Sequence, residues 1–141
     1  MTQISALDPA QARAVLAAQP FSVLLGARLA EFGPATGTAT LELDVRPDLL
    51  QQNGFVHGGV LSYAADNALT FAAGTVAGAR LLTAGYTIDY LRPARGVVLR
   101  ARAEVVRAGR TRVVCRCDLL VVDEAGTETL CAVAQGSVSI P

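Results

Sequence analysis

The sequence predicts an α+β domain in which an antiparallel sheet packs against one long buried helix. Residues 58–76 lack the alternation of a strand and are rich in alanine and leucine, which favours a helix. Several strand-like segments follow with short connections, and consecutive strands joined by tight turns pair antiparallel. The chain has 141 residues, of which 52% are hydrophobic. We therefore expect residues 1–141 to form a single domain with its own core.

Two kinds of element are predicted before the long helix. Asp8 and Pro9 are typical of an N-cap followed by a first helical turn, so a short helix is expected at about residues 9–19, stopped by Pro20. Residues 36–45 alternate between polar and apolar side chains, which indicates a half-buried strand. One or two strands are expected in this part of the chain.

The long helix is apolar nearly all round, so it must be covered on most sides. We expect the sheet to cover one side and a second copy of the chain to cover the other, as a homodimer or tetramer. Four further strands are predicted after the helix, at residues 81–91, 97–107, 112–122 and 128–140.

The composition excludes several classes of function. The 12 basic residues are balanced by 12 acidic ones, so no general nucleic-acid footprint is present. All basic residues are arginine, and the lack of lysine removes Schiff-base and P-loop chemistry. No apolar run reaches the roughly 18 residues that span a bilayer, and residues 1–19 show no signal-peptide pattern, so a cytoplasmic location without membrane association is expected.

The three cysteines do not predict a metal site. Cys115, Cys117 and Cys131 form no CxxC pair, and the chain has a single histidine. No plausible zinc ligand set exists, so we interpret the cysteines as small core residues and expect no metal.

The densest set of candidate functional residues precedes the long helix. Gln51, Asn53, His57, Gly58 and Gly59 lie within nine positions of one another. Glycines at a helix start allow a ligand to approach backbone N–H groups that have no intrahelical partner, where the helix dipole adds positive charge. This arrangement is an oxyanion site in outline. A glycine-rich turn with a histidine cap is the structural alternative.

Asp66 is the second candidate, because it lies in the middle of the apolar helix. A buried carboxylate costs several kcal/mol, by rough estimate, unless it is paired or used. Ser62 and Thr70 lie four residues before and after it and would form one polar stripe with it, able to contact substrate. A hydrogen bond from Asp66 across an oligomer interface is the alternative explanation.

Helix geometry separates the two candidates within one chain. His57 and Asp66 are nine residues apart, which corresponds to about 13 Å along a helix and to nearly opposite faces. Two antiparallel copies of the helix would bring the His57 and Gly58 end of one against Asp66 of the other. The sequence therefore predicts that a homodimer is required for the site.

Three motifs resemble those of a known family. NGFVHGGVLSYAAD at 53–66 is similar to the HGG…D signature of hotdog-fold thioesterases, in particular PaaI-like acyl-CoA thioesterases of the phenylacetate-pathway type. YLRPARG at 90–96 and VVRAGRTRVV at 105–114 also resemble that family, in its order, from about Arg28 onward. The resemblance implies a hotdog fold, an antiparallel sheet wrapped around one long central helix, and a tetramer built as a dimer of dimers.

The resemblance also implies roles for individual residues. Asp66 falls on the family's catalytic carboxylate, which acts as a nucleophile or as a general base for water. Gly58 falls on the glycine whose N–H polarises the thioester carbonyl, with His57 beside it holding the loop. Thr83 falls where related enzymes keep a hydroxyl near the attacking water.

The remaining implied residues concern substrate binding. Arg92, Arg95 and Arg110 lie on two turns where the family tends to bind the phosphates and adenine end of CoA, although solvated turn arginines are the plainer explanation. Gln51 stands where many of these enzymes carry an asparagine, and Asn53 is displaced from that position by two. The longer amide could still orient the carbonyl or the water.

Three functions are compared. The first is hydrolysis of acyl-CoA thioesters, aryl or phenylacetyl-type or short-to-medium acyl, with no cofactor beyond the CoA of the substrate. The second is a non-catalytic acyl-thioester binding protein, in which Asp66 would be dispensable. A hotdog hydratase is disfavoured because the single histidine precedes Asp66 instead of following it. Catalysis by a cysteine or by a Ser-His-Asp triad finds no support.

Overall fold

A long helix lies across one face of an antiparallel sheet in the computed structural model, which describes residues 6–141. Within these residues the elements are, in chain order, α1 (Pro9–Ala17), α2 (Pro20–Leu25), β1 (Arg28–Gly33), β2 (Thr38–Asp44), α3 (Gly58–Ala77), β3 (Leu82–Tyr90), β4 (Val98–Ala108), β5 (Arg112–Val122) and β6 (Glu128–Ser139). The sheet order is β1-β2-β4-β5-β6-β3, with antiparallel neighbours throughout. The predicted fold class, an antiparallel sheet around one long central helix, is confirmed.

The N-terminal helix starts as predicted but is followed by a second one. Asp8 Oδ1 accepts a hydrogen bond from the Gln11 N–H at 2.7 Å, and Gln11 Oε1 accepts one from the Asp8 N–H at 3.0 Å, which is a complete capping box. α1 ends at Ala17, two residues before the predicted end. Pro20 is the first residue of α2 and not only a stop, because its fixed φ suits the first helical position, where no N–H partner is needed.

The core lies between α3 and the inner face of the sheet. Eleven residues of α3 are buried, with alanine, leucine and phenylalanine predominating. The inner face of β2 consists of Ala39, Leu41 and Leu43, all fully buried, as the alternation predicts. Cys115 and Cys117 are also buried there, and burial raises the pKa of each thiol to about 12. The interpretation of the cysteines as core residues is confirmed.

Strand β3 positions the second group of candidate residues. It is an edge strand, and its outer side is not paired with any strand among residues 6–141. A bulge at Ala84 shifts the register against β6 between Thr83 and Gly85. The extra residue changes the phase of the strand, so Thr83 points to the same face as Tyr86 and Tyr90, toward α3. Without the bulge, strict alternation would direct Thr83 to the opposite face.

The hydrophobicity of α3 does not make it a membrane segment. None of the helices formed by residues 6–141 is both long and apolar enough to cross a bilayer.

Candidate active site

The amino end of α3 presents one unengaged backbone donor. His57 is the N-cap, and its Nδ1 accepts a hydrogen bond from the Gly59 N–H at 2.8 Å. The N–H groups of residues 60 and 61 donate to the carbonyl oxygen of His57. Within residues 6–141, the Gly58 N–H donates to no backbone or side-chain acceptor. Gly58 is therefore the donor at this helix end that can bind an oxyanion.

Tyr90 fixes the backbone at Gly58. Its hydroxyl donates to the Gly58 carbonyl oxygen at 2.9 Å. A Cβ at Gly58 would lie 3.3 Å from the Tyr90 hydroxyl oxygen and 3.4 Å from Cζ, so a larger residue would press on the ring. The close approach explains why a glycine stands at this position. Tyr90 was not among the residues assigned to the site from the sequence.

The loop before α3 forms one wall of a cleft of about 530 Å³. Gln51 lines the cleft, and its side-chain oxygen accepts a hydrogen bond from the Asn53 N–H. The amide nitrogen of Gln51 donates to no acceptor among residues 6–141, so it is available to donate a hydrogen bond to a ligand in the cleft. Arg92 also lines the cleft. The full lining consists of Gln51, Phe55, Val56, Gly58, Leu61, Tyr90, Leu91, Arg92, Pro93 and Ala94.

The three predicted CoA-binding arginines do not meet within one chain. The guanidinium carbon of Arg95 lies 5.2 Å from the centroid of the Phe55 ring, at the edge of the cleft. Arg110 lies in the turn between β4 and β5, beyond the far end of β4. β4 has 11 residues, so its two ends are roughly 33 Å apart at the usual rise per residue. Arg92 and Arg95 share one end of the sheet, and Arg110 is at the other.

Asp66 lies half-buried on α3, where Thr83 holds its carboxylate. Thr83 Oγ1 donates to Asp66 Oδ1 at 2.5 Å. Thr70 Oγ1 donates to the backbone carbonyl of Asp66 at 3.0 Å and lies 3.1 Å from Thr83 Oγ1. An ionised carboxylate only accepts hydrogen bonds, so the Thr83 proton is directed at Asp66. One carboxylate oxygen is thereby fixed, and the other has no side-chain donor among residues 6–141.

Ser62 has a partner that the sequence did not reveal. It lies one helical turn before Asp66, and its Oγ is 2.5 Å from the Tyr86 hydroxyl. Because Tyr86 also approaches the Ser62 carbonyl at 3.4 Å, this contact ties β3 to α3 between Gly58 and Asp66. The α3 stripe of Ser62, Asp66 and Thr70 therefore faces β3.

A polar cluster beside the stripe joins the N-terminal helices to α3. Tyr63 donates to Ser22 at 2.6 Å, and Ser22 donates to Gln19 Oε1 at 2.6 Å. Asn67 Nδ2 lies 3.1 Å from both Gln19 Oε1 and the Tyr63 hydroxyl, which closes the cluster. Polar residues on a helix otherwise rich in alanine are the only sequence signal for it, and that signal does not name their partners.

The structure keeps Gly58 and Asp66 apart within one chain. α3 runs without interruption from Gly58 to Ala77, so the eight-residue separation corresponds to about 12 Å along the axis and a rotation of about 80°. A reacting carbonyl must lie about 3 Å from each group. One carbonyl cannot contact both groups of the same helix.

No metal-binding group is formed by the part of the chain that the structure describes, residues 6–141, since no three histidine, cysteine or acidic side chains come together there.

Comparison with known proteins gives consistent matches. The family model of the thioesterase superfamily matches residues 53–129. A thioesterase family protein from Silicibacter pomeroyi is 31% identical, with a TM-score of 0.84, over 91% of this chain and 93% of that one. The phenylacetic acid degradation protein PaaI from Thermus thermophilus is 31% identical, with a TM-score of 0.73, over 87% of this chain and 100% of that one.

A more distant solved structure shows the same fold. The PaaI protein from the E. coli phenylacetic acid degradation operon is 23% identical, with a TM-score of 0.79, over 92% of this chain and 90% of that one. No curated protein sequence gives a significant match.

Proposed function

The chain belongs to the thioesterase superfamily, and from this premise we propose that it hydrolyses acyl-CoA thioesters to the free acid and CoA at a site shared between two copies of the chain. Hydrolysis of acyl thioesters is the general activity of the superfamily. The proposal adds the acyl carrier, the acyl group and the residues of the site. The acyl group is aryl, phenylacetyl-type or short to medium in length.

The observation that carries the proposal is the environment of Asp66. A carboxylate on an otherwise apolar helix is costly unless it has a use. Thr83 fixes one of its oxygens, and the other is available to a water molecule. In this arrangement Asp66 acts as the general base, and Thr83 and Thr70 hold it in place.

The reaction then proceeds in two steps. The water oxygen attacks the thioester carbonyl carbon and gives its proton to Asp66. Negative charge develops on the carbonyl oxygen, where the partner's Gly58 N–H and the positive end of α3 stabilise it. The C–S bond then breaks, and the leaving thiolate takes up the proton from Asp66. The products are the free acid and the thiol of CoA.

The shared site follows from the length of α3 between its two groups. Two antiparallel copies of α3 place Gly58 of each against Asp66 of the other, with the two-fold axis near Ser62. The unpaired edge of β3 supports this arrangement, because an exposed edge strand is a template for pairing with another chain. Leu82 and Tyr90 on that strand are 68% and 52% exposed and would be covered. A dimer of dimers is the proposed full assembly.

The same arrangement brings the three candidate CoA-binding arginines to one side of the dimer interface. The carboxyl end of β4, which precedes Arg110, lies near the carboxyl end of α3. Gly37 contacts both, since a Cβ on it would be 3.4 Å from the Val105 Cβ on β4 and 4.0 Å from Thr75 Oγ1 on α3. In the antiparallel dimer this end lies beside the partner's loop before α3. Arg110 of one chain and the partner's Arg92 and Arg95 would then be available to the CoA phosphates.

The test is thiol release from a panel of aromatic and aliphatic acyl-CoAs. The Asp66→Asn variant, which cannot accept a proton, should lose about 100- to 10,000-fold in kcat. Asp118→Asn is the matched control, because Asp118 is exposed on the outer face of β5. Full activity in Asp66→Asn would contradict the assigned base. A folded wild-type protein inactive on the whole panel would instead favour an acyl-thioester binding protein.

A further inference from the structure

A second, smaller pocket lies beside the Asp66 group, between α1 and the carboxyl-terminal half of α3. Its volume is about 80 Å³. It is lined by Leu7, Val15, Gln19, Thr70, Phe71, Gly74, Gly78, Ala79 and Leu81. Apart from Gln19 and Thr70 the lining is apolar, and Gln19 Oε1 is already engaged by Ser22 and Asn67. Apolar residues therefore predominate in the lining, with Gln19 and Thr70 as its polar members.

Thr70 connects this pocket to the candidate catalytic carboxylate. Its hydroxyl donates to the Asp66 carbonyl and lies 3.1 Å from Thr83, which in turn bonds the Asp66 carboxylate. Thr70, which lines the pocket, is thus joined to Asp66 by one hydrogen bond, at its backbone carbonyl. Thr70 therefore belongs both to the lining of the pocket and to the polar group around Asp66.

We propose that this pocket receives the far end of the acyl group and selects short aliphatic chains over aromatic ones; this inference rests on the proposed function. The volume of the pocket determines which acyl groups fit. A cavity of about 150 Å³ holds a benzene ring, and this pocket has about 80 Å³. The pocket has about half of the volume that holds the ring, so it has room for a short chain and not for a ring.

Gly74 is the residue that keeps the pocket open. A glycine inside a helix lowers helix stability relative to alanine, and Gly74 lies inside α3, three residues before its last residue, Ala77. A Cβ built on Gly74 would meet only the Cδ1 atom of Leu7, at 3.3 Å. The Leu7 N–H donates to the Gly74 carbonyl at 3.2 Å, which holds the N-terminal segment at the rim of the pocket. Alanine at this position would narrow the pocket without colliding with the backbone.

The experiment compares the acyl preference of two variants that change the pocket in opposite directions. Gly74→Ala narrows it and Val15→Ala widens it, while Val23→Ala is the matched control on the exposed side of α2, where Val23 is 61% exposed. The substrates are straight-chain acyl-CoAs from acetyl to hexanoyl, with benzoyl-CoA and phenylacetyl-CoA.

One methylene in an apolar pocket changes kcat/KM by about 10-fold or more. Gly74→Ala should therefore lose at least about 10-fold on the longest chain that the wild type accepts and keep acetyl-CoA within about threefold, and Val15→Ala should extend the accepted length. An acyl profile of both variants equal to that of Val23→Ala overturns the inference. A wild type that prefers the aromatic substrates overturns it as well.

Calorimetry with the free carboxylic acids separates this inference from the proposed function. If no acyl-CoA is hydrolysed but the chain binds short aliphatic acids, and Gly74→Ala weakens that binding, the pocket inference holds and the proposed function fails. If the acyl-CoAs are hydrolysed with a profile that the pocket variants leave unchanged, the proposed function holds and the pocket inference fails.

Discussion

The proposed shared site makes a quantitative prediction about mixed dimers. Two variants each remove one half of the site: Asp66→Asn removes the base, and Gly58→Pro removes the donor N–H. Proline suits the first position of a helix, and His57 before it already has φ −60° and ψ 136°, the extended conformation that a following proline requires. The pyrrolidine ring meets the end of the Tyr90 side chain, whose hydroxyl oxygen and Cζ lie 3.3 and 3.4 Å from a Cβ at this position, so the tyrosine must move by a few tenths of an ångström.

The magnitudes follow from the two roles. Loss of one oxyanion donor costs about 100- to 1,000-fold in kcat, and loss of the base costs about 100-fold or more, so each variant is nearly inactive as a homodimer. A mixed dimer that carries one chain of each variant has one site with both defects and one site with none. We expect it to show about half of the wild-type activity per dimer.

The assay is thiol release by mixed dimers purified with two different affinity tags after co-expression. A reciprocal control uses the double variant, Gly58→Pro with Asp66→Asn in one chain, paired with a wild-type chain. In a shared site each of its two sites lacks one group, so this dimer should be nearly inactive. If instead the first dimer is inactive and the second retains half of the activity, both groups act from one chain and the antiparallel arrangement is wrong.

Two further predictions concern single residues. Thr83→Val should lower kcat by about 10-fold or more, because it removes the hydrogen bond that fixes Asp66. Thr83→Ser keeps the hydroxyl and should retain most of the wild-type rate. Equal rates in the two variants would contradict the role of the hydroxyl. Burial raises the pKa of the Cys115 and Cys117 thiols from 9.0 to about 12, so the native protein should not react with a thiol reagent at pH 8. Because the unfolded thiols ionise first, the free energy of unfolding should fall as the pH rises from 9 toward 12, and a Cys117→Ala variant should lose part of that dependence in denaturant titrations.

The fold could be predicted largely from periodicity, and the failures have physical causes. The pattern predicts β1 only as a possible strand, because a bulge between Leu29 and Glu31 shifts its register. Its buried residues, Leu29 and Phe32, are consequently three positions apart instead of two or four. A search for alternation cannot recognise such a strand. The pattern does not predict α2, because Pro20 is typical of a helix end and is in fact the first residue of a second helix.

The candidate site was predictable only in part. A carboxylate in an apolar helix and glycines at its start are visible in the sequence, so Asp66 and Gly58 could be named from it. The position of Thr83 depends on the bulge at Ala84, so its role came from family resemblance and not from the pattern of β3. Tyr86 and Tyr90 could not be assigned to the site from the sequence, since nothing local shows that their hydroxyls contact Ser62 and Gly58.

Because α3 is continuous from Gly58 to Asp66, it fixes both the distance and the angle between the two groups of the proposed site. Deleting or inserting one residue between the two positions would turn Asp66 by about 100° about the axis and move it by about 1.5 Å. In the antiparallel dimer that single change would displace both sites at once, because the two-fold axis relates one site to the other. Substitutions within this segment can be absorbed one side chain at a time, but a change in its length cannot. The spacing of eight residues is thus as much a part of the proposed active site as the residues at its ends.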